Sequence, residues 1–351
     1  ILSFSFHFPM KIIFLATYLI NYKFGILLMD NMPDFLKLEN VEKQVDYLCN
    51  FLHDEVIEKF HKHGAIVGLS GGIDSTVTMA LCVKALGSTK TLGLTMFEKE
   101  SDQNNKSLID KISETFDIDI QNLDITPILD SFGVYSNREK IVKNRFQNFN
   151  SDCKYRVVVP PNFDSVGMPY LEILDDKNKQ HKIKISSSDF LTLTAATSIK
   201  HRVRMTLLYY YAEKNNLSVV GTTNKSEYLQ GYFVKYGDGG SDIEPLVNLY
   251  KSQIYQIGNF MNVNQDIMKN AASPDVWSYS TTDEEFFYTV PYDVVDLILY
   301  ARENNLSISD IQKLSNLSEE KIQRLLRFQD VKQQKSQHMR ELPSKWESNF
   351  I

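Results

Sequence analysis

The chain has 351 residues, 43% of them hydrophobic and 23% charged, which is globular composition with mass for one large domain plus additions. A net charge of -6 excludes a protein that wraps nucleic acid non-specifically, since that work needs a basic surface to displace counterions. Three cysteines, Cys49, Cys82 and Cys153, form no CxxC pair, so a disulfide framework and a thiolate zinc site are excluded and a reducing cytoplasm is expected.

In chain order, the first feature is an apolar stretch from Ile12 to Ile20 that follows Lys11. It is too short to span a bilayer, and no small-x-small cleavage site follows it, so no membrane or export signal is expected. Residues 1–28 read either as translated upstream sequence, with Met29 as the start, or as an extra apolar segment packed on the domain. Residues 29–351 read as one domain. From Val41 to Lys62 a helical period sets Val45, Leu48, Phe51, Leu52 and Val56 on one face. Ala65 to Leu69 predicts a strand that ends on Ser70-Gly71-Gly72, and Val77, Ala80, Leu81 and Leu86 then recur at helical spacing up to Gly87. Thr91 to Met96 predicts a second strand, Leu108 to Phe116 a helix, and Gln121 to Ile125 a third strand. Strands alternating with helices imply a parallel sheet.

An excursion follows, from about 133 to 185. Two alternating runs, Tyr170 to Leu174 and His181 to Ile185, predict a β-hairpin within it. The segment also carries Arg138, Lys140, Lys143, Arg145, Lys154 and Arg156, interleaved with Phe146, Phe149 and Tyr155. A solvated insertion is expected there in preference to an RNA-binding face, given the acidic chain. Leu191 to Asn215 is helical, Asn216 is its stop, and Leu217 to Gly221 is another buried strand. Lys251 to Met261, Val294 to Ala301, Ser307 to Leu314 and Ser318 to Phe328 are further helices, the last two opening on serines suited to capping.

The strongest chemical signal is Gly68, Leu69, Ser70, Gly71, Gly72, Ile73, Asp74 and Ser75, at a strand-to-helix junction. Adjacent glycines let backbone approach a ligand, and the free N–H groups of a helix start suit phosphate. Asp74 beside that site would be repelled by phosphate unless a divalent cation lies between them, which points to magnesium. No lysine lies in the loop, so it is not a Walker motif. It resembles instead the PP-loop of the ATP pyrophosphatase superfamily, whose members split ATP between the α and β phosphates.

A second block selects the branch: GTTNKSE (221–227), GYFVKYGDGGSDIEP (231–245) and Leu249-Tyr250-Lys251. It resembles the NAD synthetase family of ammonia-dependent type, and SIKHRVRM (198–205), Ser273-Pro274-Asp275, TDEE (282–285) and HMRELP (338–343) extend the resemblance to the end of the chain. The resemblance implies an α/β fold of three layers, a parallel sheet flanked by helices, Rossmann-like and adenine nucleotide alpha hydrolase-like. It implies that Gly68 to Ser75, Met96, Thr222, Lys251 and Ser273 bind ATP, and that Asp74 and Glu227 hold Mg2+ with Lys251 completing the catalytic set. Arg202, Lys235, Asp242 and His338 would bind deamido-NAD. The activity implied is amidation of deamido-NAD to NAD through an adenylated carboxylate, with ammonia as nitrogen donor and AMP and pyrophosphate released. A homodimer is implied too. The residues before the loop are too few for a glutaminase domain, so ammonia is used directly or comes from a separate glutaminase.

Two departures bear on the acid substrate, the 133–185 insertion and Met339, which replaces a lysine of the family beside His338; Phe97, where proline is usual, bears on the adenine site. An amidotransferase acting on another carboxylate is therefore the nearest alternative. A tRNA-modifying adenylating enzyme fits less well, because paired cysteines are missing and the 221–251 block is intact.

Overall fold

A computed structural model describes residues 33–102, 104–158, 169–315 and 317–346; the reading of residues 1–28 lies outside them. Strands β1 (Gly64–Gly68), β2 (Thr91–Phe97), β3 (Asp119–Asp124) and β7 (Leu217–Val220) form one sheet in the order β3-β2-β1-β7. All its pairings are parallel, with Ile66 set between Leu92 and Val219. Because side chains alternate across a strand, Ala65 and Val67 face one layer while Ile66 faces the other.

The first layer holds α1 (Val41–His53), which continues as a π-helical turn over Asp54–Lys59, α2 (Ile73–Leu86) and α8 (Lys251–Phe260). Val45, Leu48, Leu52, Val77, Leu81, Ile254 and Ile257 pack there with Ala65 and Val67. The opposite layer is α4 (Thr126–Ser131), α5 (Val134–Arg145) and the long α6 (Ser187–Asn215); Leu129, Val134, Val203, Met205 and Leu208 close over Ile66, Leu94 and Val219. Between β2 and β3 runs α3 (Asn104–Phe116). The expected three-layer architecture is thus present. Asn216 ends α6 in the left-handed region at φ 54, as its position implied.

The excursion differs from expectation in two ways. The predicted hairpin is present as β5 (Tyr170–Leu174) and β6 (Gln180–Lys184), but β4 (Lys154–Val158) pairs with β5 and makes it a three-stranded antiparallel sheet. The excursion also begins with a full helix, α5, whose polar sequence shows little helical stripe. The basic stretch is solvated only in part: Lys140, Lys143, Arg145 and Lys154 are exposed, but Arg138 is 0% exposed, Arg156 pairs with Glu172 at 2.9 Å and Glu285 at 3.0 Å, and Phe146, Phe149 and Tyr155 join a core with Val157, Leu171, Ile173 and Trp277.

After β7 come α7 (Lys225–Gln230), α8, α9 (Gln265–Lys269), a π-helical turn over Glu284–Tyr288, α10 (Tyr292–Glu303), α11 (Ile308–Leu314) and α12 (Glu319–Arg340). Ser307 and Ser318 cap α11 and α12 through their hydroxyls, accepting from the Asp310 and Lys321 N–H groups. The last helix runs twelve residues beyond the expected end at Phe328, through DVKQQKSQHMR (330–340), a run rich in good helix formers with no apolar period to reveal it.

Candidate active site

In an open parallel sheet, ligands bind outside the carboxyl ends of the strands where strand order reverses. Here that point lies between β1 and β7, since β2 and β3 continue on one side of β1 and β7 on the other. The two loops that leave it are the 69–72 turn and the 221–224 segment. They wall a cavity of about 760 Å³.

The Leu69 N–H still donates to the Leu94 carbonyl at 2.9 Å, after which the chain turns at Gly71, φ +84, a conformation open at little cost only to glycine. The Ser70 hydroxyl accepts the Gly72 N–H at 3.2 Å, and the Ser75 and Thr76 hydroxyls donate to the Gly72 carbonyl at 3.0 and 2.8 Å. The turn is therefore tied down by its own side chains. Gly72, at the N-cap of α2, offers no side chain to the helix amides, which leaves the helix start open to an anion.

At the mouth of this loop the charges are unbalanced. Among the described residues, Asp74, Glu227 and Asp283 line the cavity with a single buried amine, Lys251, 1% exposed, whose Nζ donates to the Asp74 carboxylate. Burial raises the pKa of Glu227, and the negative charge of Asp74 raises it further against the pull of Lys251. Burial likewise raises Asp283, which accepts from the Tyr232 and Tyr292 hydroxyls at 2.8 and 3.0 Å. For Lys251 burial works downward, yet Asp74 and Glu227 outweigh it and hold the ammonium protonated. Such an excess of hard carboxylate oxygen favours a small divalent cation. Among the described residues no group of three or more His, Cys, Asp or Glu is arranged as a complete metal cage. Magnesium ordinarily takes one or two carboxylates, with phosphate oxygens and water supplying the rest, so the residues present fit it.

Local sequence explains the placement. Asn224 caps α7 by accepting the Glu227 N–H at 2.9 Å, Glu227 returns the bond by accepting the Asn224 N–H at 3.1 Å, and the Asn224 amide donates to Asp74 at 3.2 Å. One asparagine thus sets both carboxylates. Asp296, fully buried on α10, accepts from the Ser226 hydroxyl and the Ser252 N–H, which locks α7 to α8 and so fixes Lys251.

Of the expected residues, Gly68, Leu69, Ser70, Gly72, Ile73, Asp74, Ser75, Met96, Thr222, Glu227, Lys251 and Ser273 line the one cavity, as do Arg202, Lys235 and His338. Two do not. Gly71 turns its bare Cα toward Asn105 and Leu108. Asp242, expected at the substrate, accepts instead from the Val219 N–H and the Tyr209 hydroxyl, both at 2.8 Å, because the chain returns alongside β7 there and leaves a strand-edge amide to satisfy. Lys235 donates to the His338 carbonyl at 2.7 Å and so grips the end of α12, and Arg202 donates to the Lys235 carbonyl at 3.3 Å. Met339 lines the same wall.

Sequence reasoning did not single out Asn224, Arg204, Trp277 or Asp283 as site residues. Arg204 lines the cavity two residues from Arg202 and donates to the Met96 carbonyl at 3.3 Å. Asp283 carried a signal in the TDEE segment.

Loop, helix start and carboxylate cluster at the switch point define a PP-loop nucleotide-binding α/β domain. The NAD synthase family model matches residues 44–165 and 163–343. The NH(3)-dependent NAD(+) synthetase of Mesorhizobium japonicum is 31% identical over 302 residues, 86% of this chain and 95% of that one. Its counterpart from Thermotoga neapolitana is 37% identical over 276 residues, 78% and 89% of the two chains. Among solved structures, an NMN synthetase from Francisella tularensis matches with a TM-score of 0.61 at 24% identity over 89% of this chain and 99% of that one, a likeness of fold. This chain belongs to the NAD synthase family.

Proposed function

We propose that this chain makes NAD from deamido-NAD, ATP and ammonia, releasing AMP and pyrophosphate. The observation that carries the reading is the Ser70–Ser75 loop facing a cation-deficient carboxylate cluster, inside one cavity with Arg202, Lys235 and His338. A nicotinate carboxylate oxygen attacks the α phosphorus, the bond to the bridging α–β oxygen breaks, and pyrophosphate leaves into the loop. Ammonia then attacks the acyl carbon, loses a proton and expels AMP. Asp74 and Glu227 would hold Mg2+, which when bound neutralises triphosphate charge. Lys251 serves the departing pyrophosphate, with Met96, Thr222 and Ser273 along the nucleotide. Arg202, Lys235 and His338 take the dinucleotide's anionic groups, and Asp242 acts by fixing β7. Positioning and electrostatics supply the rate enhancement, and no protein nucleophile is used.

The same reading places the enzyme in the cytoplasm, in keeping with three free buried cysteines, as a homodimer fed by free ammonia or a separate glutaminase. Among the described residues no helix is long and apolar enough to cross a membrane. Because Met339 puts a neutral thioether on the substrate wall, a smaller nicotinate carboxylate is the alternative acid. The deciding assay supplies ATP, Mg2+ and ammonium with either deamido-NAD or nicotinate mononucleotide. NAD, AMP and pyrophosphate in equal amounts are expected from the first; ADP formation, or preference for the mononucleotide, would overturn the reading.

A further inference from the structure

The 133–185 excursion does more than cover the sheet. Its helix α5 sends Arg138 into a fully enclosed position, where Nη1 donates to Glu100 at 2.9 Å and to the Val276 carbonyl at 3.3 Å. The guanidinium lies 4.4 Å from the Trp277 ring, and among the described residues its Nε and Nη2 have no hydrogen-bond partner. Stacking and one nitrogen therefore set its place. Lys200, equally buried, donates to the same Glu100 oxygen at 2.7 Å and the same Val276 carbonyl at 3.1 Å, and also to Glu98. Two cations meet two carboxylates, so the knot is neutral.

What the knot joins matters for the nucleotide. Glu98 and Glu100 begin the loop that leaves β2 after Phe97, and Val276 and Trp277 end the loop that carries Ser273. Farther out, the Asp102 N–H donates to Asp275 at 3.0 Å, and Asp275 sits at φ 44, a strained conformation for a residue with a side chain. Ser273, Asp275, Val276 and Trp277 line both the nucleotide cavity and a second cavity that opens between it and the excursion, and Ser70 and Gly72 are exposed to both. Nothing covalent holds these two loops together. We propose that Arg138 is a positioning residue: it clamps the 98–102 and 272–277 loops to one another and so fixes the ATP wall before nucleotide arrives. This rests on the proposed ATP-dependent reaction.

The test separates clamp from mere stability. Arg138→Met leaves Lys200 alone against two carboxylates, whereas Arg138→Met with Glu100→Gln restores neutrality while removing the Arg138 tether. Melting temperature is read together with the dissociation constants of α,β-methylene-ATP and deamido-NAD, followed by Trp277 fluorescence in a Trp346→Phe background. The neutral double variant is expected to melt near wild type yet bind the ATP analogue about tenfold more weakly, in line with the cost of small misplacements, with deamido-NAD affinity unchanged. Recovery of ATP-analogue affinity along with melting temperature, or equal weakening of both ligands, would overturn the clamp. Should the double variant not fold, Tyr135→Phe, which removes one hydroxyl donated to Glu98 at 2.7 Å, carries the same comparison with an expected weakening of about twofold. Wild-type protein that binds the analogue but makes no NAD would refute the substrate reading and leave the ATP arm of this test intact.

Discussion

At the scale of single residues, the site is an argument about counting charge. Asp74, Glu227 and Asp283 share one buried lysine, so at least one negative charge needs a further cation, and the carboxyl group that resists ionisation most plainly is Glu227. Glu227→Gln keeps the capping bond to the Asn224 N–H through its remaining carbonyl oxygen but removes half of the metal's expected protein ligands. Turnover is expected to fall at least about a hundredfold, the scale on which one preorganised electrostatic contact acts, while the melting temperature holds or rises. Steady-state kinetics against Mg2+ concentration check it; unchanged magnesium dependence would remove Glu227 from the metal site. These residues were legible because the chemistry sits in contiguous runs. Asp283 and Asp296 were not placed, since each reaches the site from an element far along the chain. Arg138 was misjudged for a related reason: a charge in a sequence does not show whether Glu100 and Trp277 will enclose it.

At the scale of elements, strands buried on both faces and helices with one apolar stripe declared themselves, whereas β4 did not. Its residues KYRVV (154–158) alternate, but Arg156 on its polar side is half sequestered by Glu172, so the strand reads as a charged loop until its partner β5 is known. The junction of α7 with α12 was equally hidden. Gly231 ends α7 at φ +70, and a Cβ there would lie 2.1 Å from that of Ser336, while Arg340 Nη1 reaches back to the Tyr228 carbonyl at 2.9 Å. Gly231→Ala combines a left-handed strain with overpacking, at a cost of about 2–5 kcal/mol. Since the same contact aims His338 and Met339 into the cavity, a rise in the KM for the acid substrate is expected at temperatures where the variant is still folded, with the KM for ATP little altered. Chemical denaturation and the two Michaelis constants read both halves; equal changes in both constants would count against a local role.

At the scale of the whole molecule, pH acts through groups that the fold has buried. Glu244 accepts from the Thr223 N–H at 3.1 Å and from the Ser241 hydroxyl, and burial pushes its carboxyl up to about 7 from 4.5. Below pH 4.5 both folded and unfolded forms hold the proton and nothing is lost. Between 4.5 and 7 the unfolded chain releases a proton that the folded one keeps, so stability falls as pH rises through that window. Glu244→Gln retains an acceptor for Thr223 and a donor for Ser241, and is expected to be about 2–3 kcal/mol more stable than wild type at pH 8 and nearly equal at pH 4.5. Denaturation at the two pH values decides it. The assembly prediction belongs to the same scale. Leu191 and Tyr210 on α6 and Tyr236 beyond α7 are large, apolar and mostly exposed; Tyr236 directly follows Lys235, whose carbonyl accepts from the exposed Arg202. A second copy seated on these side chains would bury them and cover Arg202 and Lys235, which would make binding of the acid substrate depend on the pair. Wild-type protein is expected to scatter light at twice the 40.5 kDa chain mass. Leu191→Lys with Tyr210→Glu should shift it to the single-chain mass and raise the KM for the acid substrate about tenfold or more, with ATP-analogue binding kept, because charge in a desolvated patch opposes closure. A monomeric wild type with full activity would remove the dimer, and a double variant that loses ATP binding in step would show that α6 acts through the fold and not through a partner.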